Sequence, residues 1–283
     1  MSVTIALLKK ACDQLDLKYV PVDESGIFLK IFFEGGRYRL FIANNLGLNS
    51  EVVEKICRDK SYSHTLLSEV VRMPKTDTYI DPDPPEIYAS FKSFGSTDSI
   101  AQEIIKRHGE KSLVEFPLLL KPNSGSMGIN AFKCESNTDV AHAVTTIFDK
   151  KSYKYDHVLL VQEYVQVQKE YRVLVYNHKI QFVYQKDNTQ TTAQFVGNIS
   201  PLHYANAKAV LVTDLAFISR LQEFIDPIFS HLDLQYAGLD IVVDQAGQLY
   251  LLEINSKPGF SYFVKDIGEA EVIKLFKVIL SDL

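Results

Sequence analysis

The stretch GLDIVVDQAGQLYLLEINSKPGF, residues 238–260, decides how this chain is read. Two apolar runs flank Asp244-Gln245-Ala246-Gly247, a turn composition, so the segment is predicted to be a β-hairpin. Asp240 falls on the first strand, Glu253 and Asn255 on the second. Strand residues two apart share a face, so Glu253 and Asn255 project together, and the turn near Gly247 can bring Asp240 opposite them. Three hard oxygen ligands in an apolar hairpin suit Mg²⁺, which takes carboxylates together with substrate phosphates. A sheet face that is simply charged and exposed carries the same isolated D…E-x-N pattern. Pro258-Gly259 forces a turn directly after these residues, and Lys257 adds a cation beside them.

Upstream, Lys121 ends an apolar strand over 116–121 and is followed by PNSGSMG. Ser124, Gly125, Ser126 and Gly128 make a loop whose N–H and hydroxyl groups can bond anionic oxygens, with the lysine as a point charge. A plain surface turn has the same composition. Residues 158–176, VLLVQEYVQVQKEYRVLVY, are an apolar strand, a polar link and a second strand. Backbone leaving the first strand can meet a purine, and Glu163 and Glu170 can take ribose hydroxyls; a solvated hairpin is the alternative. Lys60, in CRDKSYSHTLL, opens a helix and on its own is an ordinary solvated lysine.

The surroundings are mixed. Helices are expected over 4–16, from a Ser50 cap through Cys57, and over 61–72, 97–108, 137–149, 213–232 and 269–281. Strands are expected over 19–22, 27–33, 38–42, 157–163, 171–176, 179–185, 237–243 and 249–254. Residues 81–85 and 186–205 read as loops, the latter mobile. Alternating helices and hairpins indicate an α+β fold rather than a doubly wound sheet. No Gly-x-Gly-x-x-Gly or Walker-type motif occurs.

At 283 residues and 46% hydrophobic, the chain can bury one large core or two to three smaller ones. A net charge of −5 disfavours nucleic acid as a partner. Cys12, Cys57 and Cys134 are too few and too scattered for a disulfide framework or zinc site. With no signal-peptide pattern and no membrane-length apolar run, a cytoplasmic protein without membrane contact is expected. The seven histidines show no metal-type spacing, and His178 and His203 read as loop residues.

Taken in order, RDK, KPNSGSMG, QEYV…EYRVLV and D…LLEINSKPG resemble the ATP-grasp superfamily of carboxylate–amine ligases, from about Asn49 to the C-terminus. The nearest types are glutamate ligases, cyanophycin synthetases and bifunctional glutathione synthetases. The resemblance implies two α+β subdomains gripping ATP behind a short N-terminal α/β unit. Its divisions are 1–56, 57–115 (central part), 116–165 (lid) and 166–283 (metal-bearing part). It implies that Lys60 and Lys121 contact the ATP phosphates and that residues 124–128 close over them. Gln162, Glu163, Tyr164 and Val165 would line adenine, and Glu170 the ribose. Asp240, Glu253 and Asn255 would hold one or two Mg²⁺ ions, or Mn²⁺. Arg172 would face the phosphate or acceptor side, and Lys257 joins it as a catalytic candidate.

The chain departs from the family in two ways. Gln185-Lys186 stands where relatives carry an arginine after the second hairpin strand, and lysine lacks the planar guanidinium fork. Asn198 matches a family asparagine without its basic neighbours. The segment ahead of RDK is also short. The implied reaction is amide formation through an acyl-phosphate, on an amino acid or peptide, with Arg172 and Lys186 at the oxyanion and a homodimer as assembly state. Rival readings are a kinase-like phosphotransferase, a non-catalytic nucleotide- or partner-binding module, and a ligase acting on a protein or peptide tail.

Overall fold

A computed structural model of the chain describes residues 2–108, 116–124, 129–189 and 207–283. Its first unit is α1 (Val3–Gln14) followed by β1 (Tyr19–Pro21), β2 (Phe28–Phe32) and β3 (Tyr38–Ile42), an antiparallel sheet in the order β1-β2-β3. Gly35 and Gly36, at φ 70° and 74°, make the tight β2–β3 connection that a side chain would strain. Then come α2 (Glu51–Arg58), capped by Ser50 Oγ accepting from Val53 N, and α3 (Lys60–Leu67).

The helix expected over 61–72 ends at Leu67, because the Leu67 carbonyl takes both Val70 N and Val71 N and turns the chain. That turn brings Val71 into the core beside Leu67. Next are β4 (Thr76–Ile80), α4 (Thr97–His108), β5 (Leu118–Pro122), β6 (Phe132–Cys134), α5 (Asn137–Ile147) and β7 (Val158–Glu163). The C-terminal part comprises β8 (Val167–Tyr176), β9 (Lys179–Asp187), β10 (Lys208–Leu211), α6 (Leu215–Phe229), β11 (Tyr236–Asp244), β12 (Leu249–Asn255), α7 (Ser261–Asp266) and α8 (Ala270–Asp282).

Two larger antiparallel sheets result, β4-β7-β5-β6 and β10-β9-β8-β11-β12, so the fold is α+β, as expected. In the five-stranded sheet, side-chain alternation separates two cores. One face (Val173, Val175, Val183, Leu239, Ile241, Leu251) packs with residues of α2 and α6. The other (Leu174, Tyr176, Phe182, Tyr184, Tyr236) packs with α1, α8 and the inner face of β1–β3. The four-stranded sheet buries Leu118, Leu120, Leu159 and Val161 under α4 and α5.

The sheets do not follow the divisions drawn from sequence. Position 56 lies inside α2, and β4 joins the same sheet as β5–β7 across the 115/116 cut. Strands β4, β6 and β10 went unrecognised, since strands of three to five residues are too short to show a pattern and are specified by their partners. For the same reason β8 starts at Val167 rather than Tyr171: Lys169 and Glu170 pair with Val243 and Val242. Of the expected 186–205 loop, residues 186 and 187 belong to β9. Residues 190–206, with Asn198 and His203, lie outside the described residues, as do Gly125, Ser126 and Gly128. Among the described residues no helix is long and apolar enough to cross a membrane.

Candidate active site

The hairpin of β11 and β12 forms in the expected register. Asp240 pairs with Glu253, and Gly238 with Asn255, on one sheet face; an irregularity falls between Asp240 and Ile241. The connecting turn is held by Asp244 Oδ1, which accepts from Ala246 N (2.9 Å) and Gln248 N (2.7 Å). Neighbouring strands complete the face: β8 sets Arg172 opposite Asp240, and β9 brings in Lys186.

These side chains form a buried charge network. Arg172 grips Asp240 with Nε–Oδ1 at 2.5 Å and Nη2–Oδ2 at 2.8 Å, the bidentate geometry of a guanidinium fork. Lys186 Nζ lies 2.9 Å from Asp240 Oδ1 and also bonds the Glu170 carboxylate. Burial opposes charge on Asp240, but Arg172 and Lys186 outweigh it and hold its carboxyl below the usual range. Lys186 is likewise kept charged against burial by Asp240 and Glu170. Glu170, assigned to a ribose by resemblance, therefore has its carboxylate on Lys186 in this structure.

Gly238 makes room for the network. A Cβ there would lie 2.7 Å from Arg172 Cδ and 3.2 Å from Pro258 Cβ. Gly238→Ala is accordingly expected to push Arg172 off Asp240, costing about 1–3 kcal/mol by overpacking. Denaturant melts would show this; an unchanged midpoint would mean that Arg172 relaxes freely.

Two further lysines approach this face, Lys60 from α3 and Lys121 from β5 of the four-stranded sheet. Asp59 caps α3, its Oδ1 accepting from Tyr62 N at 3.0 Å, and so fixes Lys60 at the first helical position. Lys60 Nζ lies 3.7 Å from Glu253 Oε2 and donates to Asn123 O at 3.3 Å. Asn123 Oδ1 accepts from Ser61 N at 2.8 Å, so the strand after Lys121 docks on the N-terminus of α3. Ser124 is held by Asp156, whose Oδ2 accepts from Ser124 N (2.7 Å) and Oγ (2.6 Å). Burial, helped by the Lys60 charge and opposed by Glu253, lowers the Lys121 ammonium to about 8.

At the link between β7 and β8, Gln162 Nε2 donates to Thr76 Oγ1 at 2.7 Å, and Glu163 Oε1 accepts from Lys75 N at 3.0 Å. Tyr164 lies under Lys133 (4.9 Å from ring centroid to Nζ), and Tyr164 and Val165 line an open groove. Lys257 is not brought to the carboxylates: its ammonium pairs with Glu54 of α2 at 2.7 Å, while its N–H bonds Asn255 Oδ1. Asn123, Asp156, Thr76 and Gly238 were missed. Asn123 and Gly238 sit within quoted stretches, but all four act through contacts distant in sequence.

Among the described residues no cluster of three His, Cys, Asp or Glu side chains is placed to hold a metal. The set identified from the sequence is two carboxylates and a carboxamide. It meets the chemical test for a hard divalent cation: all donors are oxygen, on one face, and Glu253 is a third exposed. Asp240 is the member already bonded by cations.

The four-stranded sheet bearing Lys121 and the five-stranded sheet bearing Asp240 and Glu253, bridged by Lys60 of α3, define the ATP-grasp class of fold. A family model for the RimK-like ATP-grasp domain matches residues 57–279, and the chain belongs to that family. It is similar in structure to D-alanine–D-alanine ligase from Bacillus anthracis (TM-score 0.56, 16% identity, 82% of this chain and 67% of that one). VanG D-Ala:D-Ser ligase from Enterococcus faecalis gives 0.54, 17%, 81% and 64%. The ATP-grasp ligase PsnB complexed with minimal precursor gives 0.50, 14%, 82% and 63%. At these identities the likeness is one of fold, and the chain spans about two thirds of each partner's length. No curated protein matches the chain.

Proposed function

We propose that this chain is an ADP-forming ligase that activates a carboxylate as an acyl-phosphate and joins it to an amine. The observation that carries this reading is Lys60. Its ammonium touches both the strand end after Lys121 and Glu253 on β12, so three motifs far apart in sequence meet at one cation.

A carboxylate is a poor acyl donor because its leaving group would be oxide; phosphorylation makes that leaving group phosphate. Lys60 and Lys121 bind the phosphates and oppose charge built up in phosphoryl transfer. Glu253 and Asn255, with Asp240 behind them, would hold Mg²⁺, which when bound neutralises phosphate charge. Arg172 Nη1 bonds no described residue and is our donor to the oxyanion formed when the amine attacks the acyl carbon. Lys186, tied to Glu170 and Asp240, orients Arg172's partner rather than reaching substrate. The acceptor reading is an amino acid or peptide; PsnB, described in a complex with a precursor peptide, motivates the peptide arm of the test.

Mg²⁺-dependent ADP release against amino acids and short peptides, with mass spectrometry of each mixture, tests the reading. A product equal to donor plus amine minus water supports it. ADP with a phosphorylated product and no amide would replace it with phosphotransfer.

Lys121 adds a pH signature. Its ammonium, lowered from 10.5 to about 8, is charged below that pH and neutral above it. Nucleotide affinity is therefore expected to fall as pH rises through about 8, by up to roughly tenfold per unit. Lys121→Arg should remove the inflection, since arginine keeps its charge. A flat affinity profile from pH 7 to 9 in the unaltered chain would contradict the placement of phosphates there.

A further inference from the structure

Asp156 lies between α5 and β7, outside every stretch that marks the site, yet its side chain is only 3% exposed. A buried carboxylate persists where hydrogen bonds replace the water it has lost. Its Oδ1 accepts from Val158 N at 3.0 Å, which closes a local turn. Its Oδ2 accepts from the Ser124 backbone N–H at 2.7 Å and from the Ser124 hydroxyl at 2.6 Å. Both groups that Ser124 could offer a phosphate are therefore taken up by Asp156, and Ser124 is an anchor.

That anchor reaches Lys60 through one peptide group. Asn123 O and Ser124 N belong to the same peptide, which is trans, so its C=O and N–H point in opposite directions. Lys60 Nζ donates to the carbonyl at 3.3 Å, and Asp156 holds the N–H. Each end of the peptide dipole thus faces its opposite charge. Turning the peptide over would set its carbonyl against a carboxylate and its N–H against an ammonium, repulsive at both ends. Neighbouring bonds hold Asn123 itself: its N–H donates to Val158 O at 3.0 Å, and its Oδ1 accepts from Ser61 N at 2.8 Å. The carbonyl is therefore a fixed point for the ammonium that also lies 3.7 Å from Glu253.

We propose that Asp156 is a positioning residue for Lys60: by locking the Asn123–Ser124 peptide it keeps the carbonyl turned to Lys60 and the ammonium set for the nucleotide phosphates. This rests on the proposed placement of nucleotide phosphates at Lys60 and Lys121. Asp156 touches neither nucleotide nor Lys60; it acts through the peptide between them. Without the lock the peptide has a second orientation that turns its N–H toward Lys60 and displaces the ammonium. Nucleotide then binds only the fraction of molecules with the ammonium in place, so affinity for ATP is expected to fall about tenfold.

The test is calorimetric titration of the full chain with ATP and Mg²⁺, in the unaltered protein, Asp156→Ala, Lys60→Met and the double variant. Lys60→Met removes the ammonium and keeps the length of the side chain, and should weaken ATP binding roughly 10- to 100-fold. Asp156→Ala alone should weaken it about tenfold, but in the Lys60→Met background by less than about twofold, because the group it positions is gone. An Asp156 that only stabilises the fold would weaken ATP binding by the same factor in both backgrounds. Such additivity, or full ATP affinity in folded Asp156→Ala, would overturn the inference. Unchanged affinity in Lys60→Met would instead overturn the phosphate placement, and the inference with it. Thermal melts show whether Asp156→Ala folds, and amide hydrogen exchange in the unaltered chain gives a reading that needs no variant. The locked Ser124 N–H should exchange at least about tenfold more slowly than an exposed loop amide, and exchange at the exposed rate would overturn the lock.

Discussion

Glu253→Ala is expected to lower Mg²⁺-dependent ADP release by about 10³-fold or more while leaving stability nearly unchanged. The two halves have separate causes. Glu253 sits on the edge strand β12 with its side chain 35% exposed, and its ion pair with Lys60 is 3.7 Å long. Partly exposed pairs of that kind contribute ~0–1 kcal/mol, so the fold should tolerate the loss. The carboxylate nevertheless faces Asp240 in register and touches the lysine that contacts the loop after Lys121. Removing it takes away the accessible member of the proposed metal set. Steady-state ADP release and a thermal melt on one preparation check both halves. Full turnover in a folded Glu253→Ala would sink the metal assignment, whereas lost turnover with a collapsed melt would say only that Glu253 is structural.

Asp240→Ala should behave differently, although Asp240 is the register partner of Glu253. Its side chain is 6% exposed and bears a bidentate guanidinium and an ammonium. Truncation leaves Arg172 buried without its counter-charge and strips Lys186 to Glu170 alone. Breaking a buried pair from one side costs about 3–5 kcal/mol, a large part of a domain's stability. Urea denaturation would read this as a lower midpoint. A loss below about 1 kcal/mol would mean that the network is solvated in solution.

The same network sets an acid limit. Asp240's carboxyl is depressed in the folded state, so its stabilisation is present above the unfolded aspartate value of about 3.9. It is lost as pH falls below that value and through the folded one. Asp240→Asn should remove this component of acid sensitivity while keeping the residue's shape.

Much of this architecture was legible because its signals are local. The alternation around Asp240, Glu253 and Asn255, with a turn centred on Gly247, specifies a hairpin and its polar face with no knowledge of the rest of the chain. Ser50 at a helix start and Lys121 at a strand end are of the same kind. Lys257 shows where local reading stops: proximity in sequence to the carboxylates suggested a shared site, yet its long side chain reaches Glu54 on α2 instead.

By itself, then, the sequence determined the α+β class, the hairpin bearing the carboxylates and the order of the motifs, since periodicity and turn chemistry act over a few residues. Only the tertiary structure decided which charges neutralise which. Arg172 on Asp240, Lys186 on Glu170 and Asp240, and Lys60 between Asn123 and Glu253 join residues 16 to 193 positions apart. Strand pairing and burial, rather than any spacing in the chain, bring such groups within a few ångströms and make their charges strong enough to matter.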